Sequence, residues 1–310
     1  ITQYEFPIAN NGNLEGIMNN EWEKVRESFY YPQLPRPKLV NNIDNAYIDM
    51  ENLSINVSEP FIKKFKDYKI DENEALNEVL THELTHYMKY PGSVLNVLKL
   101  QKVARELVDT EKANQLRTAF TESQTNIYMV KERKHSATVR MRKVVKPNQD
   151  EALEKLMYGL YQKIWVEDLG IELNNEEKSL INKLKDIDFL NKSTEQSNFK
   201  KFVEILKDYE PPQNQKSKKE NKKEGNQEGD QKTQCQSKGL SMFDDNQIRE
   251  GIKQFAKECD NANEFEEIVG EVLLEKQKGK KNKELKTYQS YGLSAGTEKG
   301  ILTIARNFYT

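Results

Sequence analysis

Residues 71–89 read DENEALNEVLTHELTHYMK, and this stretch decides how the chain around it folds. Asp71 with Glu74 three residues later is typical of the capping box that begins a helix. Gly and Pro are absent until Pro91-Gly92, which favours a helix end there. Two adjacent stripes follow the helical period: Leu76, Leu80, Leu84 and Tyr87 form one, and Ala75, Val79, His82 and His86 form the other. The pattern predicts one helix up to about residue 89.

Two of the three histidines in the chain lie in the pentad His82-Glu83-Leu84-Thr85-His86. Residues four apart share one face of a helix, so both imidazoles can reach a single metal ion. Glu83 is rotated about 100° from His82, which lets its carboxylate approach a metal-bound water without ligating the metal. With 3 His and 50 acidic residues in 310 positions, roughly 0.005 chance matches to the motif are expected. The pentad therefore predicts a Zn²⁺ site rather than two hydrogen-bonded core histidines.

A catalytic zinc site has three protein ligands and an open position for water, so we expect one more ligand downstream. Glu122 is the preferred candidate, because small and weakly polar residues share its helical face and permit close packing at the metal. Asn126, one turn further on, is expected to hydrogen-bond a ligating histidine. Glu106, on a lysine-rich face, stays open as an alternative. His135 also stays open, although on an unbroken helix it points about 140° away from Glu122.

The pentad, together with Glu122-x-x-x-Asn126, resembles the gluzincin zinc metallopeptidases, and His-Glu-Leu-Thr-His is the pentad of the thermolysin family. Short strands before the metal helix make the wider arrangement similar to microbial metallopeptidases with a minimal zincin core. The resemblance covers about residues 38–134. It implies that His82, His86 and Glu122 bind zinc and that Glu83 is the general base acting on a peptide or protein substrate. The family usually has Asp where this chain has Asn126, which would make the ligating histidine less basic.

The segments around the pentad predict a small sheet and further helices. Two short strands are predicted at Asn45–Ile48 and Leu53–Val57, and a helical stretch at Ser58–Tyr68. Residues 93–134 lack Gly and Pro, and a helix this long is expected to break at Asp109-Thr110 or at Lys112–Asn114. The predicted fold class is α+β and predominantly helical, a zincin-like core whose small sheet packs on the metal-binding helix, plus a helical extension.

Composition divides the chain into four parts. We expect a zincin-like metallopeptidase core at 22–146, a helical extension at 150–209 and a disordered polar linker at 210–240. A C-terminal helical segment is expected at 241–310, and its helical pattern looks truncated. The linker and the lysine run at 276–286 are expected to be solvated. The helical extension is a candidate surface for a protein partner.

Charge and cysteine content exclude several classes of protein. The formal net charge is −2, so no global field favours nucleic acid or an anionic membrane. No apolar run approaches the roughly 20 residues that span a bilayer, and the start of the sequence lacks a signal-peptide pattern. Cys235 and Cys259 stand in different contexts, a polar linker and a predicted helix, and give no disulfide framework. Together these features predict a cytoplasmic protein.

Other functions stay open from the sequence alone. A zincin-like module that binds partners without cleaving them suits the helical extension, but the intact His82, Glu83 and His86 favour an enzyme. A nucleoprotein-directed protease of the SprT-like type would have a third histidine soon after the pentad, whereas here His135 follows 49 residues after His86. The strand near Ile55–Val57 is expected to be an exposed edge to which an extended peptide adds. Candidate donors to the oxyanion are Tyr87, Tyr128, Arg133 and His135.

Overall fold

The computed structural model describes residues 13–41, 46–49, 54–147, 152–210, 243 and 245–278. Within these ranges the chain forms eleven α-helices and three short strands. The elements are α1 Leu14–Ser28, β1 Lys38–Val40, β2 Ala46–Asp49, β3 Ser54–Ser58, α2 Glu59–Lys64, α3 Glu72–Met88, α4 Val94–Arg105, α5 Thr110–Lys131, α6 Ser136–Val144, α7 Ala152–Trp165, α8 Asn175–Leu184, α9 Glu195–Leu206, α10 Asp245–Phe255 and α11 Ala262–Lys278. The fold is α+β and predominantly helical, as predicted.

The three strands form one mixed sheet in the order β1-β3-β2. β3 runs parallel to β1, with Leu39 opposite Val57, and antiparallel to β2, with Ile48 opposite Ile55. The expectation that the strand near Ile55–Val57 is an exposed edge is therefore wrong, because β3 is paired on both sides and all of its residues are buried. The three-residue β1 follows a proline-rich segment and gave no strand signal in the sequence.

Helix α3 has the start, end and apolar stripe that its sequence predicts. The Asp71 carboxylate accepts a hydrogen bond of 2.9 Å from the Glu74 backbone N–H, and the helix ends at Met88. Its fully buried leucines pack against α1 and the sheet, in a cluster that includes Trp22, Ile55, Leu76, Leu80 and Leu84. Each buried leucine contributes roughly 1.5–3 kcal/mol, so this stripe sets the rotation of α3 and the direction of the adjacent histidine stripe. Since α1 starts at Leu14, the packed core begins before residue 22.

Helix α5 joins the region around α3 to the helices that follow residue 150. The predicted break is confirmed, because α4 ends at Arg105 and the Asp109 side chain caps α5 with a bond of 2.9 Å to the Lys112 backbone N–H. Phe120 of α5 is fully buried and packs against Phe199 and Phe202 of α9. One apolar cluster therefore contains residues of α4, α5, α7, α8 and α9, and the helical extension shares it with the core.

The last two described helices pack on α4. Val97 and Leu98 of α4 join Phe255 and Phe265 in a third apolar cluster. Cys259 is a half-buried free thiol in extended backbone after a short 3₁₀ turn, rather than inside a helix as expected. The structure does not describe Cys235 or residues 211–240 of the predicted linker. It also does not describe the lysine side chains of the 276–286 run. None of the described helices is long and apolar enough to cross a bilayer.

Candidate metal centre

Helices α3 and α5 bring three potential metal ligands together. Nε2 of His82 lies 3.1 Å from Nε2 of His86. The Glu122 carboxylate lies 3.6 Å from the first of these nitrogens and 3.1 Å from the second. Both histidines are buried and 14% of the Glu122 side chain is exposed. Among the described residues, these three form the one group of His, Cys or acidic side chains spaced to hold a metal ion.

The spacing of the three ligand groups matches tetrahedral coordination. Metal–ligand bonds of about 2.0–2.1 Å in a tetrahedron place neighbouring ligand atoms about 3.3–3.4 Å apart. The distances observed between His82, His86 and Glu122, 3.1 to 3.6 Å, bracket that value. The side chains could therefore hold an ion with little rearrangement, and three ligands leave a fourth position for water.

Two groups outside the triad fix the protonation of His86. The backbone carbonyl oxygen of Tyr90 lies 2.8 Å from Nδ1 of His86, and the Thr125 hydroxyl lies 3.2 Å from the same nitrogen. A carbonyl oxygen can only accept, so Nδ1 carries a proton, and Nε2 is the nitrogen that faces Glu122 and is available to a metal ion. Tyr90 and Thr125 were missed from the sequence, since neither belongs to a recognised motif and Tyr90 acts through its backbone.

The loop after α3 places the Tyr90 carbonyl beside the imidazole. The Tyr90 backbone N–H donates to the Thr85 carbonyl at 3.1 Å, and the Gly92 N–H donates to the His86 carbonyl at 3.3 Å. Gly92 has a φ of +72°, and a Cβ there would lie 2.9 Å from the Lys89 carbonyl oxygen. Only glycine fits this position without strain, so the Pro91-Gly92 signal that ends the helix also shapes the support of a ligand.

Asn126 supports the third ligand instead of a histidine. Its side-chain N–H donates to the Glu122 backbone carbonyl at 2.9 Å and to the Tyr161 hydroxyl at 3.4 Å, and its Oδ1 accepts from Arg142 at 3.0 Å. The expected bond to a ligating histidine is not made, because Asn126 faces α6 and α7 rather than α3. Asn126 therefore contacts the backbone of Glu122, and the Arg142 guanidinium anchors its amide.

The electrostatics of the triad favour an ionised Glu122. Burial opposes ionisation, but the charge of His86 and hydrogen bonds from both histidines outweigh it and hold the pKa of Glu122 well below its ordinary value. A carboxylate that stays ionised is the form that binds a metal ion. Glu83 is also buried, with 6% of the residue exposed, between the two histidines in the sequence. A buried acid that follows a candidate ligand in the sequence is a candidate for proton transfer.

The alternative third ligands lie elsewhere. The side chain of Glu106 is half exposed and forms an ion pair of 2.8 Å with Lys200. His135 begins α6; burial lowers its pKa while the charge of Glu78 acts in the opposite direction. Neither belongs to the ligand group that the structure brings together.

Three of the candidate oxyanion donors have structural partners. The Tyr87 hydroxyl accepts from Gln247 at 3.1 Å, and Arg133 donates to the Ser28 carbonyl at 3.2 Å. The Tyr128 ring lies 4.9 Å from the Lys89 ammonium. The fourth candidate, His135, interacts with Glu78 as described above.

Comparison with protein-family models, with curated proteins and with solved structures found no match to this chain.

Proposed function

We propose that the protein is a zinc-dependent metallopeptidase of the gluzincin type. The observation that carries the proposal is the buried group His82, His86 and Glu122, whose ligand atoms are spaced for one tetrahedral ion. The Tyr90 carbonyl supports it further, because it leaves Nε2 of His86 free to bind a metal.

The two imidazoles and one carboxylate of the triad favour some metal ions over others. Two imidazole nitrogens suit zinc, copper, iron and nickel, whereas calcium and magnesium prefer oxygen ligands alone. Two histidines and one carboxylate also occur in non-haem iron oxygenases. The buried Glu83 favours zinc, since hydrolysis needs a base beside the metal and oxygen activation by iron does not.

Glu83 carries the proton in the proposed reaction. A zinc ion at the triad would lower the pKa of a bound water to about 7 and polarise the scissile carbonyl. The Glu83 carboxylate accepts the proton of the attacking water and then donates it to the nitrogen of the leaving amine. His82, His86 and Glu122 hold their orientation throughout, with His86 fixed by Tyr90 and Glu122 by Asn126.

The rival interpretation is a zincin-like module that only binds partners. It accounts for the apolar cluster that α5 shares with the helical extension, but it gives Glu83 no role. A binding module has no need of an acid at this buried position. The metallopeptidase proposal gives a role to His82, Glu83 and His86 together, and we prefer it for that reason.

The test is hydrolysis of a peptide library by the full chain, read by mass spectrometry. Purified protein is stripped with a chelator and reloaded with zinc, iron or magnesium. Cleavage that disappears on stripping and returns with zinc alone supports the proposal. Zinc-loaded wild-type protein that cleaves no more of the library than a Glu83→Gln variant would overturn it.

A further inference from the structure

An open groove lies on the far side of the loop that follows α3. It has a volume of about 700 Å³, within the range of small-molecule sites, and it is lined by residues 88–99 and 192–197. The groove shares this loop with the metal centre, but no ligand of the triad lines it. Its chemistry is therefore separate from that of the proposed zinc site.

Three lysines converge on the groove. Lys89 and Lys192 are held on a pair of neighbouring aromatic rings: the Lys89 ammonium lies 4.9 Å from the centre of the Tyr128 ring, and the Lys192 ammonium lies 4.4 Å from that of Tyr90. The two ring centres are 5.9 Å apart. Lys99 lines the same groove from α4. Aromatic rings position ammonium groups without neutralising their charge, so they leave the charge available to a ligand.

The carboxylates present do not balance these charges. Lys192 pairs with Glu195 at 2.7 Å, and Lys99 pairs with Glu258 at 2.9 Å. Lys89 has no carboxylate partner among the residues that the structure describes. Burial, together with the positive charge of Lys89, lowers the pKa of Lys192 against the effect of Glu195. Three lysines and one carboxylate line the groove, so its lining carries an excess of positive charge.

Two helices of twelve residues each begin at the groove. The first turn of α9 contributes Gln196 and Ser197; a 3₁₀ turn at Lys192–Thr194 runs into this helix, and the Glu195 N–H donates to the Lys192 carbonyl. The first turn of α4 contributes Leu95 and Asn96, after Ser93 as cap. The N-terminus of a helix carries about half a positive charge and exposed N–H donors, which favours phosphate. The dipoles of α9 and α4 therefore add to the positive potential of the three lysines.

We propose that this groove binds a small molecule that carries a diphosphate group. Lys89 and Lys192 contact the phosphoryl oxygens, Lys99 neutralises the outer charge, and the helix dipoles at the starts of α9 and α4 add to the attraction. Glu195 is the one carboxylate among the groove-lining residues, and the ligand competes with it for Lys192. Removing the Glu195 charge therefore strengthens binding, whereas removing a lysine charge weakens it.

The experiment is isothermal titration calorimetry of the full chain with inorganic pyrophosphate at low ionic strength. Metal-free protein is used because pyrophosphate itself binds zinc, and this makes the result independent of the peptidase proposal. Lys89→Gln and Lys192→Gln are each expected to weaken binding about tenfold, the effect of losing one charge-assisted hydrogen bond. Glu195→Gln is expected to tighten it. Lys163→Gln, an exposed lysine on α7, is the matched control and leaves the affinity unchanged.

A second arm replaces pyrophosphate with adenosine diphosphate. Tighter binding of the nucleotide assigns part of the groove to a nucleoside, and equal binding assigns it to the diphosphate alone. Absence of binding of both compounds to folded wild-type protein overturns the proposal. So does a loss of affinity in Lys163→Gln that equals the loss in Lys89→Gln, because binding would then depend on overall charge. If Lys192→Gln fails to fold, Lys89→Gln still decides.

Discussion

The carbonyl oxygen of Tyr90 lies 2.8 Å from Nδ1 of His86, four residues earlier in the chain and one turn inside α3. The contact links the backbone beyond the helix to a ligand within it. The contact requires α3 to end before Tyr90, because a helix that continued past Met88 would turn this carbonyl along its own axis. The geometry of residues 89–92 is thus part of the metal centre.

Gly92→Ala is expected to weaken metal binding about 10-fold to 100-fold, the usual cost of disturbing a group that orients a ligand. The φ of +72° costs an alanine about 1–2 kcal/mol, and its Cβ would press on the Lys89 carbonyl at 2.9 Å. Relief of that contact moves the Tyr90 carbonyl away from His86. Competition with a fluorescent zinc chelator measures the affinity.

Gly170→Ala provides the matched control for this prediction. Gly170 has a φ of +69°, but a Cβ there meets only the end of the Lys146 side chain, which can move. It is expected to lower the free energy of unfolding through backbone strain while zinc affinity stays at the wild-type value. Equal zinc affinities in the two alanine variants would show that the loop does not support His86.

Glu122→Ala is expected to abolish stable zinc binding, whereas wild-type protein is expected to bind about one zinc per chain. The substitution removes one of three ligands and leaves two histidines 3.1 Å apart with no compensating charge. Elemental mass spectrometry of dialysed protein measures the content. Glu106→Ala is the control, since Glu106 is a half-exposed residue paired with Lys200. Loss of zinc in Glu106→Ala with retention in Glu122→Ala would contradict the assigned ligand set.

Glu83→Gln is expected to retain zinc but to lower peptide hydrolysis about 10²-fold to 10⁴-fold, the usual contribution of a general base. The amide keeps the size of the side chain but cannot accept the proton. Cleavage of a fluorogenic peptide chosen from the library gives the rate. Glu74→Gln, on the first turn of the same helix, should cleave at the wild-type rate because its carboxylate pairs with Arg140 away from the triad. Undiminished cleavage by Glu83→Gln would remove Glu83 from the mechanism.

Local signals were sufficient for most elements near the site. The Asp71 cap, the two stripes of α3 and the break at Asp109-Thr110 each depend on residues within a few positions of one another. Glu122 was the favoured third ligand because its neighbours are small enough for helix packing, and the structure places it against both histidines. Residues close together in one sequence therefore predict these features.

Features that depend on distant pairing were not readable. Whether β3 is central or at an edge depends on β1, three residues that carry no strand pattern of their own. The role of Asn126 depends on Arg142, which reaches it from another helix. The support of His86 by Tyr90 comes from a backbone atom, whose position no residue type specifies. Sequence periodicity identifies the face of a helix, but not what packs against it.

Cys259 is expected to react slowly with iodoacetamide in the folded protein. Burial raises the pKa of its thiol from 9.0 to about 11, and the charge of Glu264 adds to the effect. At pH 8 the thiolate fraction is then about a hundredfold smaller than in the unfolded chain, and the thiolate is the reactive form. Alkylation is followed by mass spectrometry in a Cys235→Ser background, with denatured protein as the reference.

The same shift gives a pH dependence for the packing around Cys259. A raised pKa in the folded state means that the stabilisation is fully present below pH 9 and is lost as the pH rises through 11. Hydrogen exchange of α10 and α11 should therefore quicken in that interval relative to α3.

Alkylation of folded protein at pH 8 as fast as that of denatured protein would show that Cys259 is not shielded by α4.

Gly251→Leu is expected to detach α10 and α11 from α4 without affecting the metal centre. A Cβ at Gly251 would lie 2.5 Å from the Val94 Cβ and 3.0 Å from the Leu95 backbone nitrogen, so a larger side chain separates the two helices. Ion pairs such as Arg105 with Glu271 at 2.8 Å break with the apolar contacts. Limited proteolysis should then release the C-terminal helices while zinc content stays constant.

Glu250→Leu is the control for this substitution, because it adds the same side chain at the neighbouring, exposed position of α10. It should leave the proteolytic pattern unchanged. Because Gln247 of α10 donates to the Tyr87 hydroxyl on α3, separation of α10 also removes one contact with the metal-binding helix. Retained zinc in Gly251→Leu would show that the leucine stripe of α3 is enough to orient His82 and His86. Zinc loss on detachment, with Glu250→Leu unaffected, would instead make α10 part of the support of the metal centre.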